Sequence, residues 1–136
     1  MTVIVCLSDG GGMLFGGRRN SRDKAVIADI ARLCSGDALF VGNISESLFL
    51  ESDASVISVS DPLASADKGD FAFIEDRRIL PYEHKISKLV IYRWNRKYPF
   101  DFSLDATPED MGMTLLESFD FKGNAHEKIT REIWRK

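Results

Sequence analysis

The sequence contains few of the residues that build metal centres or covalent cross-links. It has only 2 cysteines and 2 histidines in 136 residues. Cys6, Cys34, His84 and His126 match no Cys/His zinc spacing, and the histidines do not form the i, i+4 pair of a helical metal motif. Nothing in the spacing of the aspartates singles out a magnesium site. The sequence therefore predicts no metal, two buried free thiols and, most simply, a cytoplasmic location.

Long apolar runs and an excess of positive charge are also missing. No apolar stretch approaches the ~20 residues that span a bilayer, and no secretory leader follows Met1, so we expect neither membrane insertion nor export. The net charge of −3 and the pI near 5.4 disfavour a nucleic-acid partner. A hydrophobic content of 44% in 136 residues predicts one domain covering residues 1–136, as a monomer or a homodimer.

The order of the apolar segments predicts an α/β fold. Thr2–Leu7 has the pattern of a buried strand, residues 21–34 that of a helix with Ser21 as its N-cap, and residues 38–42 that of a second strand. Further strands are expected at 55–59, 71–74, 88–94, 114–121 and 128–134, with short helices at 45–51, 61–69 and 77–82. The predicted fold is a three-layer α/β sandwich with a mostly parallel central sheet and a C-terminal antiparallel hairpin.

A glycine-rich segment follows the first strand, with 5 glycines among the residues at 10–17. Because glycine tolerates positive φ and lets the backbone approach a ligand, this segment predicts a mobile loop that serves as a lid. Arg18, Arg19, Arg22 and Lys24 come next, and they indicate either an anion site at a helix N-terminus or a solvated basic turn.

These motifs, in this order, resemble the dihydrofolate reductase superfamily, including the reductase domain of riboflavin biosynthesis. Gly12–Phe15 after the leading strand is similar to the start of the lid, and Ser21-Arg22 leads a helix into a segment at 35–42 similar to the riboflavin reductases. Residues 80–92 resemble the helix and strand after the cofactor loop, and residues 126–135 resemble the last edge strand. The resemblance covers nearly the whole chain.

The resemblance implies an NADPH site, but this chain departs from the pattern there. A Gly-Gly pair follows the fourth strand in the family, whereas Glu75 and Asp76 stand here and bring negative charge to the place of a diphosphate. The alternative interpretation makes Asp76 a helix N-cap and Glu75 a solvated turn residue. Either way the sequence predicts a degraded dinucleotide site, so NADPH is a doubtful cofactor.

Asp23 is the positional match to the carboxylate that orients the pterin in the family, and it is the candidate catalytic residue. The alternative is a residue of the first helical turn that favours the helix dipole. The candidate ligand-binding or cofactor-binding residues are Gly11, Gly12, Met13, Arg19, Gly42, Asn43, Ser45, Glu75, Asp76, Tyr92 and Trp94. In a second basic and aromatic cluster at 93–98, Trp94 is a possible wall of a planar-ligand pocket.

Hydrolase motifs are absent from the sequence. No histidine lies near Ser8 or Ser45 in the sequence, and no Gly-x-Ser-x-Gly elbow exists. His126 is predicted to be an exposed residue at the end of a strand. Two functional hypotheses remain. The first is a divergent protein that binds a planar heterocyclic or nucleotide-type small molecule. The alternative is an NADPH-dependent reductase of dihydrofolate or a related pteridine or pyrimidine.

Overall fold

The computed structural model describes all residues, 1–136, and builds them around one seven-stranded sheet. The strands are β1 (Thr2–Leu7), β2 (Gly12–Phe15), β3 (Arg18–Arg19), β4 (Ala38–Val41), β5 (Ser55–Ser58), β6 (Phe71–Phe73), β7 (Lys88–Arg93), β8 (Phe102–Ser103), β9 (Thr114–Phe121) and β10 (Ile129–Arg135). Helix α1 spans Lys24–Cys34, α2 spans Pro62–Ser65, and two 3-10 helices span Glu46–Phe49 and Leu80–Lys85. No helix has the length and hydropathy needed to cross a membrane.

The large sheet has the order β5-β4-β6-β1-β7-β10-β9, and its first five strands run parallel. The unbroken apolar run of β1 suits its central place, since a strand buried on both faces needs no polar alternation. Strand β10 pairs antiparallel with both β7 and β9. The predicted α/β class, the mostly parallel sheet and the C-terminal antiparallel hairpin are confirmed.

Apolar side chains cover both faces of the sheet and make three layers. On one face α1 buries Val26, Ile30 and Cys34, spaced four residues apart, in the same cluster as Ile4 and Phe73. On the other face α2 and the segment around Leu80–Lys85 bury Leu63, Ile79 and Ile86 in the same cluster as Val3, Val5 and Leu89. This arrangement leaves the carboxyl ends of the parallel strands free to carry a site.

Two helix starts differ from the sequence-based prediction. The N-cap of α1 is Asp23, whose side chain accepts a hydrogen bond from the Ala25 amide, and Ser21 lies before the cap. The short helix predicted at 77–82 is a 3-10 helix that begins at Leu80, so Asp76 does not cap it. At α1 the carboxylate of Asp23 accepts the first-turn amide, and Asp76 is instead paired with Arg77.

The glycine-rich segment is largely β-structure rather than the predicted irregular loop. Gly12–Phe15 forms β2, and Gly16 and Gly17 both have positive φ, as the two-residue turn between β2 and β3 requires. Gly12 is needed for a different reason, since a Cβ there would lie 2.4 Å from the Phe100 ring. Strand β8 completes a small second sheet of order β3-β2-β8.

Candidate functional site

A basic cleft of about 680 Å³ opens between β3, the start of α1 and the turn after β4. Its lining residues are Gly17, Arg18, Arg19, Ser21, Arg22 and Ile44. Arg18 and Arg22 are exposed and take part in none of the ion pairs of the chain. Two uncompensated guanidinium groups on one cleft make it attractive to an anion.

Glu75, which follows β6, is buried and binds Arg19 of the cleft lining. Arg19 donates from Nε to Oε2 at 2.8 Å and from Nη2 to Oε1 at 3.0 Å. The Ser45 hydroxyl donates to Oε1 at 2.7 Å, and Arg19 also donates to the Ile44 carbonyl. The hydrogen bond with Glu75 raises the pKa of Arg19 above its usual value. Glu75 is 7% exposed, so its interpretation as a solvated turn residue was wrong.

Arg77 occupies the neighbouring strand end, above Gly42. It donates to Asp76 at 3.0 Å and to Asp61 at 3.2 Å, and a Cβ at Gly42 would lie 3.2 Å from Arg77 Nη2. Burial lowers the pKa of Arg77, but these two carboxylates outweigh that effect and hold it above its usual value. Asn43 is exposed and accepts a hydrogen bond from Ser58. The glycine predicted to approach a phosphate is therefore covered by an arginine that is already paired.

Asp23 is fully engaged with the turn between β9 and β10. Oδ1 accepts from the amides of Ala25 and Asn124 at 2.8 Å each, and Oδ2 accepts from Ala125 at 2.7 Å and from His126 Nδ1 at 2.9 Å. The Asp23 side chain is 0% exposed. A ligand could contact this carboxylate directly only if the turn moved away.

His126 is buried, not exposed at a strand end as the sequence suggested. Its ring stacks on Trp94 with 4.6 Å between centroids and 21° between planes. Its Nε2 atom lies 3.0 Å from the Ser21 hydroxyl and 3.2 Å from the Tyr98 hydroxyl. The histidine thus connects the edge of the basic cleft to the buried Asp23 carboxylate.

Tyr92 and Trp94 lie in the apolar layer beside α1, and neither lines the basic cleft. The Tyr92 hydroxyl donates to Asp29 at 2.7 Å, and burial together with this bond raises the pKa of Tyr92 well above its usual value. Arg131 donates to the same Asp29 oxygen at 2.9 Å. These contacts fix β7 and β10 to α1, and a ligand role for Tyr92 or Trp94 stays a prediction.

The other candidate residues divide between two places. Gly12 and Met13 are buried in β2, while Gly11 lines a second, smaller cleft of about 260 Å³. That cleft is lined by Leu7, Gly10, Gly11, Ile91, Arg93, Leu104, Ala106, Thr107 and Pro108. No group of three His, Cys, Asp or Glu side chains is arranged to hold a metal ion. Of the predicted set, Arg19, Ser45 and Glu75 are joined by side-chain hydrogen bonds.

Sequence reasoning missed Ser21 and His126 as partners. They are separated by 105 positions, and no local motif surrounds either residue. Their contact depends on the β9–β10 turn folding back over the start of α1. Only the topology of the hairpin, together with a prediction of which residues occupy its turn, could have brought them together.

Comparisons with known proteins support the fold and leave the family open. No family model matches the chain, and no curated protein matches its sequence. Among solved structures, the fold is similar to that of the dihydrofolate reductase from Enterococcus faecalis complexed with NADP(H) and RAB-propyl, with a TM-score of 0.69 and 11% sequence identity. The match covers 99% of this chain and 95% of that one. The chain therefore has a dihydrofolate reductase-like fold.

Proposed function

We propose that this protein binds an anionic planar heterocycle or nucleotide-type small molecule in the basic cleft, and that its dinucleotide site is degraded. The observation that carries the proposal is the buried Glu75 carboxylate at the end of β6, held by Arg19 and Ser45. It supplies negative charge where the resemblance implies bare backbone amides for a diphosphate.

The Arg19–Glu75 pair makes a diphosphate costly at this place. A phosphate that drew Arg19 away would leave a carboxylate that is 7% exposed without its cation. Breaking a buried ion pair in this way costs about 3–5 kcal/mol. A phosphate that left the pair intact would instead meet the negative side of Glu75 beside the turn at Asp76. Both routes weaken dinucleotide binding.

The outer part of the cleft favours a smaller anion. Arg18 and Arg22 are unpaired, and Ser21 adds a hydroxyl to the cleft lining. The cleft volume of about 680 Å³ lies within the ~300–1,000 Å³ of small-molecule sites. One phosphate or carboxylate near these arginines, joined to a planar group, satisfies the charge and the size of the cleft.

A second candidate is the NADPH-dependent reductase, which the fold similarity to a protein complexed with NADP(H) favours. This candidate also needs Asp23, at the start of α1, as the carboxylate that orients the pterin. In this case the β9–β10 turn must release at least one Asp23 oxygen before a pterin can reach it, because four donors occupy the carboxylate.

Ligand titration separates the two candidates. FMN, AMP, dihydrofolate and NADPH would each be titrated against the protein, followed by tryptophan emission and thermal stabilisation. We expect saturable binding of at least one of the first three and no saturation by NADPH below about 1 mM, which corresponds to about −4 kcal/mol. Micromolar NADPH binding would instead support the reductase, and no binding of any of the four would count against both candidates.

A charge reversal tests the place of binding. Arg22→Glu should weaken the bound anion about tenfold or more, since reversing one charge near ~4 Å changes the interaction by about 2 kcal/mol even at the dielectric of water. Lys24→Glu is the matched control, because Lys24 is also exposed and basic but does not line the cleft. Equal loss of affinity in the two variants would show that the effect is only the net charge.

A further inference from the structure

Ser21, His126 and Asp23 form a continuous hydrogen-bonded chain. The Ser21 hydroxyl lies 3.0 Å from His126 Nε2, and His126 Nδ1 lies 2.9 Å from Asp23 Oδ2. A carboxylate accepts hydrogen bonds, so Asp23 places the ring proton on Nδ1 and leaves Nε2 as an acceptor. This is the order of groups by which a histidine base activates a serine hydroxyl.

The buried half of this chain is rigid. Three backbone amides donate to the Asp23 carboxylate, one from the first turn of α1 and two from the β9–β10 turn. Trp94 covers one face of the His126 ring, and the His126 side chain is 2% exposed. The ring therefore cannot turn away from Ser21 without breaking the bond to Asp23. Such fixed orientation of base and nucleophile is what hydroxyl activation needs.

The open half of the chain faces the basic cleft. Ser21 is half-buried and lines this cleft, whereas His126 and Asp23 are shielded from solvent. A substrate or a water molecule in the cleft can therefore reach Ser21 and the Nε2 side of His126, while the Asp23 side of the ring stays closed to solvent. Arg18 and Arg22 place positive charge on the same cleft, where an oxyanion formed at Ser21 would be stabilised.

We propose that Ser21 is the nucleophile of an acyl-transfer reaction and that the protein hydrolyses small esters that carry an anionic group. Ser21 Oγ forms a bond to the ester carbonyl carbon as its proton passes to His126 Nε2. The bond from that carbon to the alcohol oxygen then breaks, and Nε2 returns the proton to the departing alcohol. Water attacks the acyl group, with His126 again as base, and releases the carboxylic acid and free Ser21.

The two parts of this proposal have different support. The nucleophile follows from the Ser21–His126–Asp23 geometry alone. The anionic group of the substrate rests on the basic cleft of the proposed function. A neutral and an anionic ester tested side by side therefore distinguish failure of one part from failure of the other.

Tyr98 gives the proposal a distinctive signature. Its hydroxyl lies 3.2 Å from the same Nε2 atom, which has one lone pair when the ring is neutral. Tyr98 thus competes with Ser21 for the base. We expect Tyr98→Phe to raise the reactivity of Ser21 several-fold, whereas a merely structural contact would give no gain.

The first experiment is covalent labelling with a fluorophosphonate probe, read by intact mass and peptide mapping. We expect a single adduct on Ser21, which Ser21→Ala abolishes and Ser103→Ala, a control at an exposed serine on β8, retains. Asp23→Asn should slow labelling at least about a hundredfold by disturbing the tautomer of His126. Circular dichroism of each variant checks that it is folded. No adduct on the folded wild type, or an adduct that persists in Ser21→Ala, would overturn the proposal.

The second experiment measures hydrolysis of p-nitrophenyl acetate and of the p-nitrophenyl monoester of succinic acid. Ser21→Ala should abolish turnover of both esters. Arg22→Glu should reduce turnover of the succinyl ester by about tenfold or more beyond any reduction with the neutral ester, because only the succinyl ester loses an attraction to its own charge. An equal effect of Arg22→Glu on the two esters would contradict the anionic substrate class and leave the nucleophile standing. Turnover that survives Ser21→Ala would contradict the nucleophile.

Discussion

Asp23 stabilises the fold at two places with one carboxylate. It caps α1 through the Ala25 amide, and it holds the β9–β10 turn through Asn124, Ala125 and His126. Burial alone raises the pKa of Asp23, but these hydrogen bonds outweigh it and keep the pKa below its usual value of 3.8. The native state therefore holds the charged form.

We expect Asp23→Ala to lower the free energy of unfolding by about 3–5 kcal/mol, because it leaves several buried donors without an acceptor. Asp61→Ala is the comparison, since Asp61 also caps a helix and accepts from Arg77 and Tyr82, but its side chain is 38% exposed. Water can reach the donors that Asp61 leaves, so its loss should cost only about 1–2 kcal/mol. Urea denaturation of both variants measures the difference, and equal losses would show that the burial of Asp23 adds nothing.

Lowering the pH should reduce the difference in the free energy of unfolding between the wild type and the Asp23→Ala variant. The pKa of Asp23 is lower in the folded than in the unfolded state, so its contribution is complete above the unfolded value near 4 and declines as pH falls toward the folded value. Urea midpoints measured between pH 6 and pH 3 check this. If the difference in stability between the two proteins stayed constant or grew in acid, the ionised Asp23 carboxylate would not be what holds the turn.

The sequence could identify Asp23 as a helix-start residue but not its partners. Few residue types cap helices, and Asp23 is one of them. It lies three residues before Val26, the first buried apolar residue of α1. The contacts with the β9–β10 turn join residues 101 to 103 positions apart and leave no local pattern. Glu75 shows the same limit, because its partner Arg19 comes from a separate hairpin 56 positions away.

The sequence predicted the helices and strands correctly where a segment has one clear apolar spacing. Strand β1, helix α1 and the β9–β10 hairpin were predicted because their apolar spacing has the period of the element. The glycine-rich segment was misjudged, since glycine removes the side-chain pattern from which a strand is recognised. The strand there depends on tertiary contacts, since the Phe100 ring lies against Gly12 and the distant strand β8 pairs with β2 on the side opposite β3.

Gly123 has a comparable tertiary role in the β9–β10 turn. A Cβ there would lie 2.5 Å from Asp23 Oδ2, 2.7 Å from the Ile129 side chain and 2.8 Å from the His126 carbonyl. We expect Gly123→Ala to cost about 1–3 kcal/mol by overpacking the turn. Asn124→Ala, at an exposed neighbour whose backbone amide makes the contact, should change stability by less than about 0.5 kcal/mol.

Gly123→Ala also tests the position of the His126 ring. Because the His126 carbonyl and the Asp23 carboxylate are both displaced, Gly123→Ala should also move the ring from Trp94 and change the tryptophan emission. Thermal unfolding and emission spectra of the two variants measure both effects. An alanine accepted at position 123 without either change would contradict the close approach of the turn to α1.

At the scale of the molecule, the sheet joins the two ends of the sequence. Strand β10 pairs with β7, which pairs with β1, so residues 129–135 and residues 2–7 belong to one hydrogen-bonded structure. Cross-sheet contacts reinforce this, as the bonds from Tyr92 and Arg131 to Asp29 connect β7, β10 and α1. Such long-range coupling predicts that the chain unfolds as a single cooperative unit, and the one domain expected from its length stays a prediction that unfolding can test.

The two tryptophans test this cooperativity, because they lie in different layers. Trp94 belongs to the apolar cluster beside α1, and Trp134 packs against the cluster on the opposite face. In Trp94→Phe and Trp134→Phe variants, the remaining tryptophan reports on one layer only. We expect each variant's fluorescence transition in urea to coincide with its own far-ultraviolet circular dichroism transition, as two-state unfolding requires. If Trp134 lost its native emission at a lower urea concentration than the sheet lost its dichroism, the layer on that face would be a separate unit, and the single-domain prediction would be wrong.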